Sequence, residues 1–199
     1  MIEKIFVATS NKGKLKEIKE ILKPIEIISI YDVLKNPPDV VEDGNSFEEN
    51  AKKKGELLSR FVDGFVIADD SGLVVDALGG KPGIYSARYA GENATDLDNN
   101  LKLLNDLNGV PFEQRDAKFV CVIALCKSGK TIETFYGEYK GKIGFELKGG
   151  NGFGYDPLFV LDDGRTMAEL SSDEKNRISH RREALSKLKK FLDNVSKNS

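Results

Sequence analysis

Short apolar runs along the chain are typical of buried β-strands. Such runs occupy residues 2–8 and 65–68, while 25–30 is extended and 118–126 and 131–139 are strand-like, with a Ser128-Gly129 turn between the last two. Runs of this length, bounded by Gly, Pro, Asp and Ser, favour strands over helices. The run at 65–68 is expected to end abruptly at Asp69-Asp70-Ser71-Gly72, because these residue types favour turns.

Apolar residues at helical spacing lie between these runs. Leu15, Ile18 and Ile21 predict a helix that begins after Thr9-Ser10-Asn11 and ends before Pro24. Further helices are expected from the capping-box pairs Ser46/Glu49 (to about Phe61) and Ser171/Glu174, over residues 94–107, and after Ser179, where Ala184, Leu185, Leu188, Phe191, Leu192 and Val195 form an apolar stripe. Interleaved strands and helices predict an α/β fold with a mixed sheet.

Length and composition describe an ordinary globular chain. With 199 residues, no internal repeat and no shift in composition, it is expected to form a single domain over 1–199, with two lobes. No run of 18 apolar residues occurs, so no membrane span is expected. The N-terminus lacks the pattern of a signal peptide, which predicts a cytoplasmic protein. Cys121 and Cys126, five positions apart on one strand, would point to opposite faces, and free thiols fit a reducing compartment.

The charge distribution is uneven along the chain. Residues 171–199 carry 8 Lys/Arg and 4 Asp/Glu, although the formal net charge of the whole chain is -2. A basic segment of this kind is usually a solvated helix face, but it could complete a site for a polyanion. No nucleic-acid-binding module is recognisable and the pI is near 5.6, so a nucleic acid partner is not expected.

Two segments after predicted strands carry residues suited to phosphate and metal chemistry. Thr9-Ser10-Asn11-Lys12-Gly13-Lys14 places hydroxyl, amide and lysine groups at a helix N-terminus, where unpaired N–H groups favour anions, although such residues also cap helices for structural reasons alone. Asp69 and Asp70 follow the third strand, where α/β folds commonly place ligands, and would face opposite ways. From the residues alone, either aspartate could serve. Glu42 and Asp43, or Glu48 and Glu49, could supply further ligands for Mg²⁺.

Two later segments carry groups suited to a nucleoside. In Gly152-Phe153-Gly154-Tyr155-Asp156-Pro157, glycines allow close approach of the backbone, an aromatic ring could stack on a base, and Asp156 could accept from ring N–H groups. A β-hairpin whose aromatic residues belong to the core would explain the same residues without any ligand. Lys175 and Ser179-His180-Arg181 gather donors near a helix start, where they suit an anion or a carbonyl oxygen.

Taken together, these segments resemble one family, the inosine triphosphate pyrophosphatases. The matching segments are Thr9 to Lys14, Ser46-Phe47-Glu48-Glu49-Asn50-Ala51, Ala68-Asp69-Asp70-Ser71-Gly72-Leu73, Pro82-Gly83-Ile84-Tyr85-Ser86-Ala87-Arg88-Tyr89, Gly152 to Pro157, and Ser179-His180-Arg181. They occur in the family's order and span nearly the whole chain. One such motif would be weak evidence, whereas six in order are specific.

The resemblance implies a function and a fold. Members of the family hydrolyse non-standard purine nucleoside triphosphates (ITP, dITP and XTP) to the monophosphate and pyrophosphate, require Mg²⁺, and so cleanse the nucleotide pool. They form homodimers with an elongated two-lobed α/β fold, in which a curved mixed sheet is flanked by helices and the active site lies in a cleft between the lobes.

The resemblance also implies roles for individual residues. Asp70 would be the catalytic carboxylate and a metal ligand, with Glu42 as a second ligand. The substrate would be bound by Thr9, Ser10, Asn11, Lys12, Gly13 and Lys14 at the phosphates, by Ser71, Lys175, Phe153, Gly154, Tyr155 and Asp156 at the nucleotide, and by His180 and Arg181 at the base.

Three other readings of the sequence remain. A nucleotide sensor without turnover is disfavoured by the presence of both Glu42 and Asp70, and a nucleic-acid-binding module by the acidic chain. The nearest alternative enzyme is a pyrophosphatase of related fold that acts on modified pyrimidine or methylated nucleotides.

Selection of a 6-oxopurine over adenine would follow from hydrogen-bond donors at the purine 6-position. Guanine also carries a 6-oxo group, so these donors would not by themselves exclude GTP.

Overall fold

The chain forms an α/β fold around one mixed, six-stranded sheet in a computed structural model that describes residues 2–197. The strands are β1 (Lys4–Val7), β2 (Glu26–Ser29), β3 (Val66–Val75), β4 (Asp116–Lys127), β5 (Lys130–Ile143) and β6 (Phe159–Val160). Their order is β2-β1-β3-β4-β5-β6. β1 is parallel to β2 and β3, and β5 is antiparallel to β6. The predicted fold class is therefore confirmed.

The helices interleave with these strands. They are α1 (Lys12–Ile21), α2 (Ile30–Val33), α3 (Phe47–Leu58), α4 (Asp96–Asp106), α5 (Ser172–Ile178) and α6 (His180–Lys197). Short 3-10 turns cover Asp76–Leu78, Gly83–Arg88, Phe112–Gln114 and Met167–Glu169. No helix within residues 2–197 is long and apolar enough to cross a membrane.

The chain divides into two compact units. The first contains the residues up to Asp70, Cys121–Gly137 and the residues from His180 onward, and the second contains Ser71–Val120 and Glu138–Ser179. β3, β4 and β5 therefore each contribute residues to both units. The single domain over 1–199 stays a prediction.

The sheet of the first unit is buried on both faces. Ile5 and Val7 of β1 belong to one apolar cluster, which includes buried residues of α1 and α6. Phe6 and Ala8 belong to another, which includes Leu58 of α3. Because successive side chains of a strand point to opposite faces, the uninterrupted apolar run from Ile5 to Ala8 is what a doubly covered strand requires.

Helix α3 packs very close to the sheet in this unit. A Cβ atom added at Gly55 would lie 2.6 Å from Cys126 Sγ and 3.4 Å from Ala68 Cβ. Only glycine fits this approach without displacing the sulfur atom. Gly55 thus sets the distance between the sheet and the α3 residues that surround the candidate site.

The second unit has its own core around α4. Leu103 and Leu107 are fully buried against Leu73 and Phe159, and the Phe119 and Phe159 rings stack with centroids 4.3 Å apart. A buried arginine links the C-terminal end of α4 to the residue that follows β5. Arg115 donates to the carbonyl oxygens of Leu107, Val110 and Gly144, each at 2.9 Å.

Three details differ from the sequence predictions. β3 does not end at Asp69 but continues to Val75. Both aspartates remain buried in the strand because cationic side chains from distant parts of the chain lie near them. Local turn preferences cannot predict such distant contacts. The short helix α2 and the short strand β6 were not predicted. Glu49 Oε2 accepts from Asn45 N rather than from Ser46 N, so Ser46 caps α3 without a full capping box.

Candidate active site

The N-terminus of α1 lies at the end of β1, as the sequence predicted. Asn11 is the capping residue, and its Oδ1 accepts from Lys14 N at 3.1 Å. Thr9 is buried and its Oγ1 accepts from Asn11 N, whereas Ser10, Asn11 and Lys12 are exposed. The first N–H groups of a helix have no carbonyl partner within the helix, and the helix dipole favours an anion there. The segment from Thr9 to Lys14 thus has a helix N-terminus that could bind an anion.

Asp69 is held by three groups from distant parts of the first unit. Its Oδ2 lies 3.3 Å from Lys14 Nζ and 3.3 Å from both Nε and Nη2 of Arg181. Cys121 Sγ lies 3.9 Å from the same oxygen. Arg181 also forms an ion pair with Glu17. Asp69 therefore serves a buried charge network and has its charge compensated.

Asp70 differs from Asp69 in its partners. Its side chain is buried, and Oδ2 has no hydrogen-bond partner among residues 2–197. Burial and the nearby charge of Glu42 raise the pKa of Asp70 to about 6, although Lys54 and Lys14 act in the opposite direction. A buried carboxylate oxygen without a partner is costly, and strongly shifted carboxylates concentrate at functional sites.

Lys54 is a site residue that the sequence reading missed. Its Nζ pairs with Glu42 and lies 3.4 Å from the carbonyl oxygen of Asp69. Burial lowers the pKa of Lys54, but Glu42, Asp69 and Asp70 outweigh it and raise the pKa. Lys54 was hidden in the run Lys52-Lys53-Lys54, yet it lies four residues from both Asn50 and Leu58, on the buried face of α3.

The loop that carries Glu42 is fixed by α3. Gly44 N donates to Oδ1 of the buried Asn50 at 2.8 Å. Asn45 N donates to Glu49 Oε2 at 2.7 Å. Glu49, one of the carboxylates that the sequence offered as a further Mg²⁺ ligand, thus holds the loop that carries Glu42.

The arrangement around Asp70 fits a divalent cation. No group of three or more His, Cys, Asp or Glu side chains in the described part of the chain forms a complete metal site. Mg²⁺, however, usually takes one or two carboxylates and completes its shell with water and substrate phosphates. Asp70 and Glu42 provide such a pair, and Asp70 Oδ2 has an unused acceptor position.

The second unit gathers Phe153, Asp156 and Lys175. Lys175 and Asp156 are both buried, and Lys175 Nζ donates to Asp156 Oδ2 at 2.7 Å. The same oxygen accepts from Phe153 N at 3.0 Å. Lys175 Nζ also lies 4.4 Å from the centroid of the Phe153 ring. Asp156 therefore stabilises the turn through its buried carboxylate. The Phe153 ring is partly exposed and could stack on a base.

Gly154 and Tyr155 are also occupied within the second unit. Gly154 N donates to Asp96 Oδ2 at 2.8 Å, and Asn100 Nδ2 donates to its carbonyl oxygen at 2.9 Å. Tyr155 is buried and its hydroxyl donates to the Ser86 carbonyl oxygen at 2.6 Å. These contacts explain why both residues belong to the motif without requiring either to touch a ligand.

The remaining predicted residues are those at which the chain passes from one unit to the other. Ser71 follows Asp70 in β3 and is half-buried. His180 and Arg181 begin α6 and are buried in the first unit. Arg181 would have to leave Glu17 and Asp69 to contact a base, so a base-binding role for it stays a prediction.

Comparison with known proteins places this arrangement in a family. The family model described as the Ham1 family matches residues 5–191. The chain belongs to the Ham1 family. A solved Ham1 protein from Staphylococcus aureus superimposes with a TM-score of 0.85 at 45% identity, covering 96% of this chain and 99% of that one.

Curated Ham1 relatives share about half of their residues with this chain. The dITP/XTP pyrophosphatase of Bacillus licheniformis is 50% identical over 195 residues, which are 96% of this chain and 99% of the relative. That of Geobacter sulfurreducens is 53% identical over 192 residues, with 95% and 96% covered. The resemblance drawn from the sequence motifs is thereby confirmed.

Proposed function

We propose that this protein hydrolyses non-standard purine nucleoside triphosphates (dITP, XTP and ITP) to the monophosphate and pyrophosphate, with Mg²⁺ as cofactor. The observation that carries the proposal is Asp70, a buried carboxylate with an unpartnered oxygen beside Glu42 and Lys54. The names of relatives that are about 50% identical over the whole chain support the substrate class.

Residues of the first unit are assigned to the phosphates and to water. The α1 N-terminus from Thr9 to Lys14 would bind the phosphate oxygens, with Lys14 as a mobile cation. Asp70 would accept the proton of a water that attacks the α-phosphorus. The bond between this phosphorus and the α–β bridging oxygen breaks, and pyrophosphate leaves with the bonding electrons. With a pKa near 6, Asp70 is mostly ionised at neutral pH, yet basic enough to take that proton.

Lys54 has two tasks in this scheme. It holds Glu42, and its charge lies near both Asp69 and Asp70. An ammonium group here would offset negative charge that develops on the phosphates. When bound at Asp70 and Glu42, Mg²⁺ would supply further neutralisation of phosphate charge and polarise the reacting groups.

Residues of the second unit are assigned to the nucleoside. Phe153 would stack on the base, with its backbone set by Asp156 and Lys175. Ser71 would contribute a hydroxyl to the nucleotide. Hydrogen-bond donors at the purine 6-position would pair with the 6-oxo group of hypoxanthine or xanthine. His180, Arg181 and backbone N–H groups are the candidate donors. Adenine has a 6-amino group and would leave these donors unpaired. Each unpaired buried donor costs about 1–3 kcal/mol.

A nucleotide panel tests the proposal. dITP, XTP, ITP, ATP, GTP and methylated pyrimidine triphosphates would be incubated with the protein and Mg²⁺, and pyrophosphate and orthophosphate measured separately. Stoichiometric pyrophosphate from dITP and XTP, with at least about 100-fold lower kcat/KM for ATP, is the expected result. Orthophosphate as the sole product would overturn the proposal, and so would equal rates for ATP. Preference for the pyrimidines would favour the alternative enzyme.

The cellular setting follows as part of the same proposal. The proposed protein acts in the cytoplasm as a homodimer, where removal of non-standard nucleotides would keep them out of the pool used for polymerisation. Cys121 and Cys126 are free and buried, as suits a reducing compartment. Sedimentation would check the dimer.

A further inference from the structure

The first two turns of α4 hold both backbone polar groups of one residue, Gly154. Asp96 Oδ2 accepts from Gly154 N at 2.8 Å, and Asn100 Nδ2 donates to the Gly154 carbonyl oxygen at 2.9 Å. Asn100 Nδ2 also donates to the Asp96 carbonyl oxygen at 2.9 Å. Because both partners of Nδ2 are carbonyl oxygens, the orientation of the Asn100 amide is fixed by its contacts.

Helix α4 is a firm support for this contact. Thr95 and Asp98 form a full capping box at its start, and Leu103 and Leu107 anchor its other end in the apolar core. Asn100 is buried, so its position cannot change without disturbing the helix. A hydrogen bond from such an element constrains its partner more than one from a surface loop would.

The turn that includes Gly154 needs support from outside. Gly152 and Gly154 have φ values of 75° and 62°, in the left-handed region. A Cβ added at Gly154 would meet no heavy atom within 4 Å, so glycine is required there for backbone conformation and not for space. The N–H and C=O groups of Gly154 are held by hydrogen bonds to α4.

We propose that Asp96 and Asn100 are positioning residues for the nucleoside. By fixing the N–H and C=O groups of Gly154, they set the direction of the adjacent Phe153 ring, whose other support is the Lys175–Asp156 pair. The inference rests on the proposed function, because it takes Phe153 as the residue that stacks on the base. α4 would then control nucleoside affinity without contacting the substrate.

Two aspartates in the same turn of α4 provide a matched comparison. Asp96→Ala removes the acceptor for Gly154 N, whereas Asp98→Ala removes the acceptor for Thr95 N, also at 2.8 Å. Both side chains are exposed, and both variants weaken the start of the helix. We expect Asp96→Ala to raise KM for dITP roughly tenfold with kcat within about twofold, and Asp98→Ala to change neither. Asp96→Asn keeps an acceptor oxygen and should recover most of the affinity.

A second measurement separates positioning from general loosening of the fold. Tripolyphosphate has no base, so its inhibition constant should be the same in wild type and Asp96→Ala. In a Phe153→Leu background, the Asp96→Ala change should no longer alter KM, because Asp96 would act through that ring. Additive effects of the two substitutions would overturn the inference, as would equal kinetics for Asp96→Ala and Asp98→Ala. A wild-type protein that does not release pyrophosphate from dITP would instead overturn the proposed function.

Discussion

Arg181 donates from Nε and Nη2 to a single carboxylate oxygen of Asp69, both at 3.3 Å. Asp70, the next residue in β3, receives no such donor at its buried Oδ2 among residues 2–197. Asp69 is thus tied into a charge network through Oδ2, whereas burial and the charge of Glu42 raise the pKa of Asp70 to about 6. These differences support Asp70 as the catalytic carboxylate of the proposed function.

The Asp70→Asn variant should be folded and nearly inactive. The amide preserves shape but can neither take a proton from water nor contribute charge to metal binding, so kcat should fall by at least about 10³-fold. Binding of dITP, measured by calorimetry, should weaken much less, because Thr9 to Lys14 and Phe153 are intact. An active Asp70→Asn protein would move the catalytic role to another carboxylate.

The same variant should change the pH dependence of stability. The native pKa of Asp70, about 6, lies above its unfolded value of 3.8, so the native state binds more protons between these values. The stability that protonation gives is complete below pH 3.8 and is lost as pH rises through 6, by an amount on the order of 2–3 kcal/mol. The Asp70→Asn variant has no ionisable group at this position, so it does not lose this stability as the pH rises.

Urea unfolding in the presence of EDTA measures the effect. The free energy of unfolding of Asp70→Asn minus that of wild type should increase between about pH 4 and about pH 7.5. Asp39→Asn, which changes an exposed carboxylate, serves as the control and should show no such trend. A constant difference for Asp70→Asn would mean that the carboxylate is not destabilised by burial.

Removing Arg181 should be costly for the fold. Arg181→Met would leave Glu17 and Asp69 buried with less compensation, and breaking a buried pair costs about 3–5 kcal/mol. Arg165→Met, which breaks the exposed pairs with Asp163 and Glu174, should cost less than about 1 kcal/mol. If both variants lost the same free energy of unfolding in urea, the buried ion pairs of Arg181 would not stabilise the fold more than the exposed pairs of Arg165 do. For folded Arg181→Met, a KM increase specific to dITP over ATP would support a base contact as well.

The close packing of α3 should appear as a coupling between two residues. Gly55→Ala places a Cβ 2.6 Å from Cys126 Sγ and should destabilise the protein by about 1–3 kcal/mol. Cys126→Ala removes the sulfur, so the double variant should be more stable than the sum of the single changes indicates. Urea unfolding of the four proteins gives the coupling, and additivity would show that the helix moves away instead.

Local sequence signals predicted most of the elements. Ser171 and Glu174 do form a capping box, Asn11 does cap α1, and the Ser128-Gly129 turn does join β4 and β5. Each of these depends on residues within a few positions of one another, where side-chain to backbone contacts are readable from spacing.

Features that depend on distant residues were not predictable in this way. β3 continues through Asp69 because Lys14 and Arg181 lie beside it, and they are 55 and 112 positions away in sequence. The site role of Lys54 depends on which face of α3 is buried. The contribution of Asp96 becomes visible only when the Gly154 peptide is placed against it.

Cys121 makes the charge network experimentally observable. Its thiol is fully buried 3.9 Å from Asp69 Oδ2, and burial together with that carboxylate raises its pKa to about 12. Such a thiol reacts with an alkylating reagent only when the surrounding structure opens. Its labelling rate therefore reports the opening free energy around Asp69 and Arg181, and a bound nucleotide that releases Arg181 would accelerate labelling, whereas one that leaves the network closed would slow it.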